Sequence, residues 1–255
     1  MKTLIQTEDK GYGSFIVIKE DLIGDYISNA GFWEIPQYDI YTLILNDTDI
    51  VLDAGANIGF HTVNMAKSAK KVYAFEPQPF IYNILCSNIL FNDITHKVEQ
   101  FKLGLGNFEG VVKMRPLEDY KESNGMQNYG GRGIATGDEE GDEEIKIVTF
   151  DSLDLYIDVV KMDIQNYELE ALMGMKNTIK KCKPWIMIEN YENVEKDKKV
   201  LQFLKDLNYQ IYRPMEDNIL PKEDCICFNK DNPKHKNKIN LFDTNHQLKI
   251  FYKKV

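Results

Sequence analysis

Val51-Leu52-Asp53-Ala54-Gly55-Ala56-Asn57-Ile58-Gly59 is the stretch on which the fold turns. Ile50, Val51 and Leu52 read as a short buried strand, glycines follow at 55 and 59, and residues 60–70 can form a helix. A strand that enters a helix through a glycine turn makes a cradle for a polar ligand. Glycine lets the backbone come close, and the unpaired N–H groups of the first helical turn face the ligand.

The same rhythm repeats outward from this motif. Lys71-Val72-Tyr73-Ala74-Phe75 reads as a second strand ended by Glu76-Pro77, and 79–91 carries Ile81, Ile84, Leu85 and Ile89 at helical spacing. A third strand is expected over 98–105. Strands at 159–162 and 185–188 end at Asp163 and Glu189, with helices over 168–181 and 195–207. This alternation predicts an α/β chain with a doubly wound, Rossmann-like, mostly parallel sheet. Residues 210–212 and 225–228 are placed to close it with an antiparallel terminal strand.

Around that unit, 1–48 reads as an N-terminal extension with a strand over 14–18 and a helix over 39–45. The main domain is expected over 49–229, and the Lys-rich 230–255 as a peripheral strand or arm. Strands at 111–115 and 144–150 flank 116–143, which is rich in Gly, Asn, Asp and Glu. A connection that long reads as a lid or an insert. Its Asp138–Glu144 part reads as a solvated charge run, and Arg132 either as a solvated loop residue or as a holder of an acidic group.

With 255 residues, 43% hydrophobic and 11% aromatic, the chain can bury a full core. A net charge of -9 disfavours phosphate backbones, which makes a nucleic-acid partner a poor expectation. No apolar run reaches the roughly 20 residues of a membrane span, and the N-terminus turns acidic before a signal-peptide core could form. A cytoplasmic setting is the expectation, with Cys86, Cys182, Cys225 and Cys227 as packing thiols. The strand spacing of Cys225 and Cys227 lacks the second Cys/His pair that a structural metal would need.

The dinucleotide fingerprint asks for G-x-G-x-x-G, whereas Asn57 occupies the middle glycine position and obstructs a pyrophosphate. Asp53 before the turn and Glu76 at the end of the next strand favour a shorter cofactor with an amino-acid tail. Asp53 is suited to an ammonium group or its ordered water, and Glu76 to both ribose hydroxyls. That set, with Gly55, Ala56, Asn57, Gly59 and Pro77, points to S-adenosyl-L-methionine. Asn57 also has a simpler reading, as a cap of the following helix. Leu105, Gly106 and Asn107 end the third strand, where an adenine would lie.

The sequence resembles the FkbM-type family of S-adenosylmethionine-dependent methyltransferases, from about residue 34 to 189 and more loosely to 228. The resemblance rests on the glycine motif, Phe75-Glu76-Pro77 with Asn88, Thr149-Phe150-Asp151, Lys161-Met162-Asp163 and Pro184-Trp185-Ile186-Met187-Ile188-Glu189. Glu34 matches a glutamate often found before the glycine motif. It implies a class I methyltransferase fold and O-methylation of a sugar, glycan or other small metabolite. One departure stands out. Where the family usually reads D-V-E-G-A-E, this chain has Asp163-Ile164-Gln165-Asn166-Tyr167-Glu168.

Methyl transfer to a hydroxyl needs alignment and a base. Strand ends face the crevice of such a sheet, which makes Asp163 the first candidate for base or acceptor anchor, with a cofactor-tail contact as its alternative. Glu189 is balanced between acceptor contact and loop anchoring. Glu168 fits a helix-start carboxylate better than a catalyst, and His61 fits helix packing better than a base. Asp163, Gln165 and Glu189 could together hold a divalent cation, although no ligand spacing calls for one. Two other functions stay open on sequence: methylation of a protein or an RNA cap, and cofactor binding without catalysis.

Overall fold

The computed structural model describes residues 2–122, 125–191, 195–214, 224–245 and 252–255. An N-terminal hairpin pairs β1 (Leu4–Gln6) with β2 (Ile16–Ile18), and the helices α1 (Leu22–Ala30) and α2 (Ile35–Ile44) follow. Next come β3 (Ile50–Ala54), α3 (Phe60–Ser68), β4 (Lys71–Phe75), α4 (Pro79–Phe91) and β5 (Val98–Phe101). A small side sheet holds β6 (Gly104–Leu105), β7 (Gly110–Met114) and β8 (Glu143–Val148). The chain then returns to the main sheet through β9 (Val159–Met162), α5 (Glu168–Gly174), α6 (Lys176–Cys182) and β10 (Trp185–Glu189). It ends with α7 (Glu195–Asp206), β11 (Tyr209–Pro214), β12 (Asp224–Asn229), α8 (Lys236–Thr244) and β13 (Tyr252–Lys254).

The eight-stranded sheet runs β13-β11-β12-β10-β9-β3-β4-β5. Its five strands from β10 to β5 are parallel, and β12, β11 and β13 are antiparallel. Both faces are apolar, so the strands read as near-continuous hydrophobic runs. Side chains alternate between them. Val51, Val72, Ala74, Trp185 and Met187 face a core closed by Ile40, Val63, Ile81 and Leu85, whereas Leu52, Tyr73, Phe75, Ile186 and Ile188 face one closed by Leu172, Ile179, Val200 and Leu204. Two apolar faces, each needing a helical layer, are the physical basis of the double winding.

Three expectations need correction. The third strand does not run through to 105: it stops at Phe101, and Gly104–Leu105 pairs with β8 in the side sheet instead. The helix over 168–181 breaks after Gly174, where an added Cβ would sit 1.8 Å from the Gly106 carbonyl oxygen. The stretch 116–143, apart from 123–124 which lie outside the described residues, is not a structureless lid. Gln127 pairs with the N-terminal segment through Leu22 N to Gln127 O (2.9 Å) and Gln127 N to Glu20 O (3.0 Å). Asp21, buried at the start of α1, accepts from both Gly24 N (3.0 Å) and Tyr129 N (3.1 Å), and so ties the two segments together. The 230–255 stretch takes the first of its two expected forms, a peripheral strand: β13 pairs with β11, and Phe242 and Tyr252 are buried in the core.

Candidate active site

The chain order reverses between β3 and β9. From β3 the sheet grows through β4 to β5, then a crossover brings β9 to the other side of β3. In open α/β sheets ligands bind beyond the strand carboxyl ends at such a switch point. A crevice of about 250 Å³ lies there.

The glycine motif forms its floor. Gly55 has φ +81°, and a Cβ on it would fall 1.9 Å from the Asp163 carbonyl oxygen, so only glycine fits between β3 and β9. The Gly55 and Ala56 N–H groups donate to Phe75 O at 3.0 and 2.9 Å, which locks the turn onto β4. Asn57 lies in the left-handed region (φ 51°), where asparagine is tolerated. Its Oδ1 accepts from Ile58 N at 2.6 Å, so it folds onto its own turn and does not cap α3, whose N-cap position is Gly59.

Glu76 follows at the end of β4. It accepts from Asn57 N (3.0 Å) and Gln78 N (2.9 Å), and burial pushes its pKa up to about 7 against those two bonds. A buried carboxylate of this kind gains from further donors, which a ribose diol supplies. Pro77, Leu103, Leu105 and Ile164 make an apolar wall beside it, suited to a flat purine. Gly55, Ala56, Asn57, Glu76 and Pro77 therefore line the crevice as expected. Gly106 and Asn107 do not. Gly106 packs against Gly174, and Asn107 is exposed, because β6 has left the main sheet.

Asp53 also stands differently from its expected place. It is fully buried, accepts from Thr62 Oγ1 at 2.5 Å, and has its other oxygen 3.8 Å from Lys161 Nζ. It stands behind the crevice lining, beside the crevice lysine. Lys161 itself donates to Gly55 O at 3.3 Å and lies 3.8 Å from Asp163 Oδ2. Burial opposes its charge, but Asp163, Asp53, Glu34 and Asp224 outweigh that and hold its pKa above the ordinary value.

Asp163 and Glu189 both line the crevice, as their strand ends imply. Gln165 joins them: its amide donates to Asp163 Oδ1 at 2.7 Å and Glu189 Oε2 at 3.4 Å. Burial, then the Asp163 charge, push the Glu189 pKa up to about 9, so it carries its proton at neutral pH and cannot serve as a base there. Gln165 and Asn166 have φ of 54° and 69°. A left-handed backbone at 166 explains why a glycine suits that position, and asparagine is the next best occupant. Asp163, Gln165 and Glu189, the candidate cation set, are joined by hydrogen bonds. No group of three or more His, Cys, Asp and Glu side chains suited to a metal forms among the described residues.

Glu168 stands at the helix start and outside the crevice lining. It is buried at the start of α5 and accepts from Ile164 N at 3.1 Å, bracing the loop from behind the crevice lining. His61 lines the crevice but sits in the core, with Nε2 3.0 Å from Glu34 Oε2. Burial first, and Lys161 second, push its pKa down to about 3, so this contact is a hydrogen bond from a neutral ring and not an ion pair. Arg132 is neither solvated nor available to an acidic ligand. It is buried, donating to Arg115 O (2.6 Å), Glu143 (2.5 Å) and Asp142, so part of the acidic run is an ion-pair partner.

Sequence reasoning passed over Lys161 as a functional group, along with Gln78. A lone lysine in an otherwise apolar strand was the available signal, since such a group is buried only with counter-charges.

A glycine turn, an acid at the end of the next strand and a crevice at the switch point define a Rossmann-like, S-adenosylmethionine-dependent methyltransferase. Residues 53–211 match the model of the Methyltransferase FkbM domain, and the chain belongs to the FkbM methyltransferase family. It is 26% identical over 205 residues to the methyltransferase sdnD of Sordaria araneosa (69% of this chain, 78% of sdnD). With the hexuronic acid methyltransferase AglP of Haloferax volcanii it shares 27% over 167 residues (62% of this chain, 64% of AglP). The solved FkbM methyltransferase of Methylobacillus flagellatus superposes with a TM-score of 0.52 at 20% identity, over 72% of this chain and 44% of that one. No helix among the described residues is long and apolar enough to cross a membrane.

Proposed function

We propose that the protein transfers a methyl group from S-adenosylmethionine to a hydroxyl of a sugar, glycan or other small metabolite in the cytoplasm. The observation that carries this reading is the position of Asp163, on the crevice wall between the cofactor cradle and Glu189. The sulfonium methyl of the bound cofactor is the electrophile. Asp163 takes the hydroxyl proton or orients the hydroxyl. Lys161 Nζ and the Gln165 amide hold its two oxygens in place. Glu189, protonated, contributes a hydrogen-bonding group to the acceptor side, and His61 is a packing residue that positions Glu34. The name of AglP, a hexuronic acid methyltransferase, supports a sugar-like acceptor, and the net charge of -9 weighs against RNA.

The test incubates the protein with labelled S-adenosylmethionine and a panel of free sugars, nucleotide sugars, glycans and an RNA. Transfer to a hydroxyl compound is the expected result, and Asp163→Ala should lower kcat by about 10²–10⁴-fold while S-adenosylhomocysteine still binds. Transfer only to RNA or protein would replace this acceptor class. Cofactor binding with no turnover on any acceptor would leave a binding protein.

A further inference from the structure

Both cations on the crevice wall and one of its amides are already engaged. Lys161 is held by Gly55 O, Asp53 and Asp163. Arg132, the other cation on the wall, is held by Asp142, Glu143 and Arg115 O. The Gln165 amide bridges Asp163 and Glu189.

The unmatched groups have the opposite character. His61 and Gln78 line the crevice and are more than nine-tenths buried. With the ring proton on Nε2, as the contact to Glu34 requires, His61 Nδ1 is an acceptor; it and Gln78 Oε1 meet no donor among the described residues. The wall thus combines carboxyl groups at Glu34, Asp163 and Glu189 with buried acceptor atoms still waiting for donors. A carboxylate or phosphate brought here would lose water and meet like charge. A hydroxyl or ammonium group would supply the missing donors.

From this we infer that the acceptor carries no negative charge: the crevice takes neutral or amino-bearing hydroxyl compounds and rejects their carboxylated and phosphorylated counterparts. The inference rests on the O-methyl transfer reading above and narrows its substrate class. It also separates this chain from AglP, whose name specifies a hexuronic acid.

Three probes that differ in one substituent test it: methyl glucoside, methyl glucosaminide and methyl glucuronide, each assayed with labelled S-adenosylmethionine. The glucoside and the glucosaminide should have kcat/KM at least about tenfold above the glucuronide. The variant D142N/E143Q releases Arg132 without altering a crevice-lining residue. It should raise glucuronide turnover about fivefold or more and leave glucoside turnover unchanged. E143Q alone serves if the double variant does not fold. Glucuronide turnover equal to or above that of the other two would overturn the inference and leave O-methyl transfer standing. If none of the three is methylated while S-adenosylhomocysteine still binds, the sugar reading itself fails and the inference falls with it. An unchanged glucuronide rate in both variants would overturn the part given to Arg132.

Discussion

At the cradle end of the crevice, Gly55, Asn57 and Glu76 come from one strand–turn–helix–strand stretch and are joined by backbone hydrogen bonds. At the acceptor end, Asp53, Lys161 and Asp163 come from two neighbouring strands and are joined by charge, with His61 from a helix and Glu189 from a third strand beside them. The two ends differ in what holds them. Backbone geometry tolerates no side chain at Gly55. The acceptor end tolerates no loss of its one lysine, since several buried acids depend on it. A local motif can be recognised from a few consecutive residues, whereas a charge cluster exists only once distant strands are adjacent.

Lys161→Met tests the acceptor end most severely. It leaves Asp53 buried without its counter-charge and should destabilise the fold by about 3–5 kcal/mol in urea denaturation. Adding Asp53→Asn should recover a good part of that loss. A single-variant effect under about 1 kcal/mol would show that the cluster is not held by charge.

Gly55→Ala tests the cradle. The left-handed φ and the 1.9 Å approach to Asp163 O together predict a loss of at least about 2 kcal/mol, together with loss of cofactor binding. Wild-type affinity for S-adenosylhomocysteine in this variant would break the comparison at its other end.

Glu76→Gln should act on binding alone, weakening S-adenosylhomocysteine about tenfold by calorimetry with the melting temperature little changed. Unaltered affinity would remove Glu76 from the cofactor site.

The smallest effects concern pH. Glu189 has a folded-state pKa of about 9 against an ordinary 4.5, so the folded protein binds its proton more tightly than the unfolded chain does. Its contribution is present below 4.5 and is lost as pH rises toward 9. His61 acts in the opposite sense. Its pKa falls from 6.5 to about 3, so its contribution is present above 6.5 and is lost as pH falls toward 3. Thermal melts should show Glu189→Gln flattening the alkaline limb and His61→Gln the acid limb. Limbs that are unchanged in both variants would show that neither group is held away from its ordinary titration.

Much of the fold was legible because its signals are local. The strands at 50–54, 71–75, 159–162 and 185–189 are apolar runs, and the helix at 79–91 shows its buried face as Ile81, Ile84, Leu85 and Ile89. The misread elements were those settled by non-local contact. Gly174, where the first helix ends, packs against the Gly106 carbonyl, and residues 104–105 leave the main sheet to pair with β8. Arg132 reads as a loop residue until Asp142 and Glu143 close on it.

The candidate site divides along the same line. The sequence by itself determined that a glycine turn and Glu76 make a cradle, because the turn, its left-handed positions and the next strand end are set by neighbouring residues. It also determined that Asp163 and Glu189 lie at strand ends above that cradle. Only the tertiary structure decided that β9 lies beside β3, in the register that pairs Asp53 with Lys161. That pairing turns Asp53 from a cofactor ligand into a counter-ion, keeps Lys161 charged in the core and leaves Asp163 on the crevice wall. Its cause is electrostatic: a buried charge takes its chemistry from what surrounds it, and its surroundings here come from opposite halves of the chain.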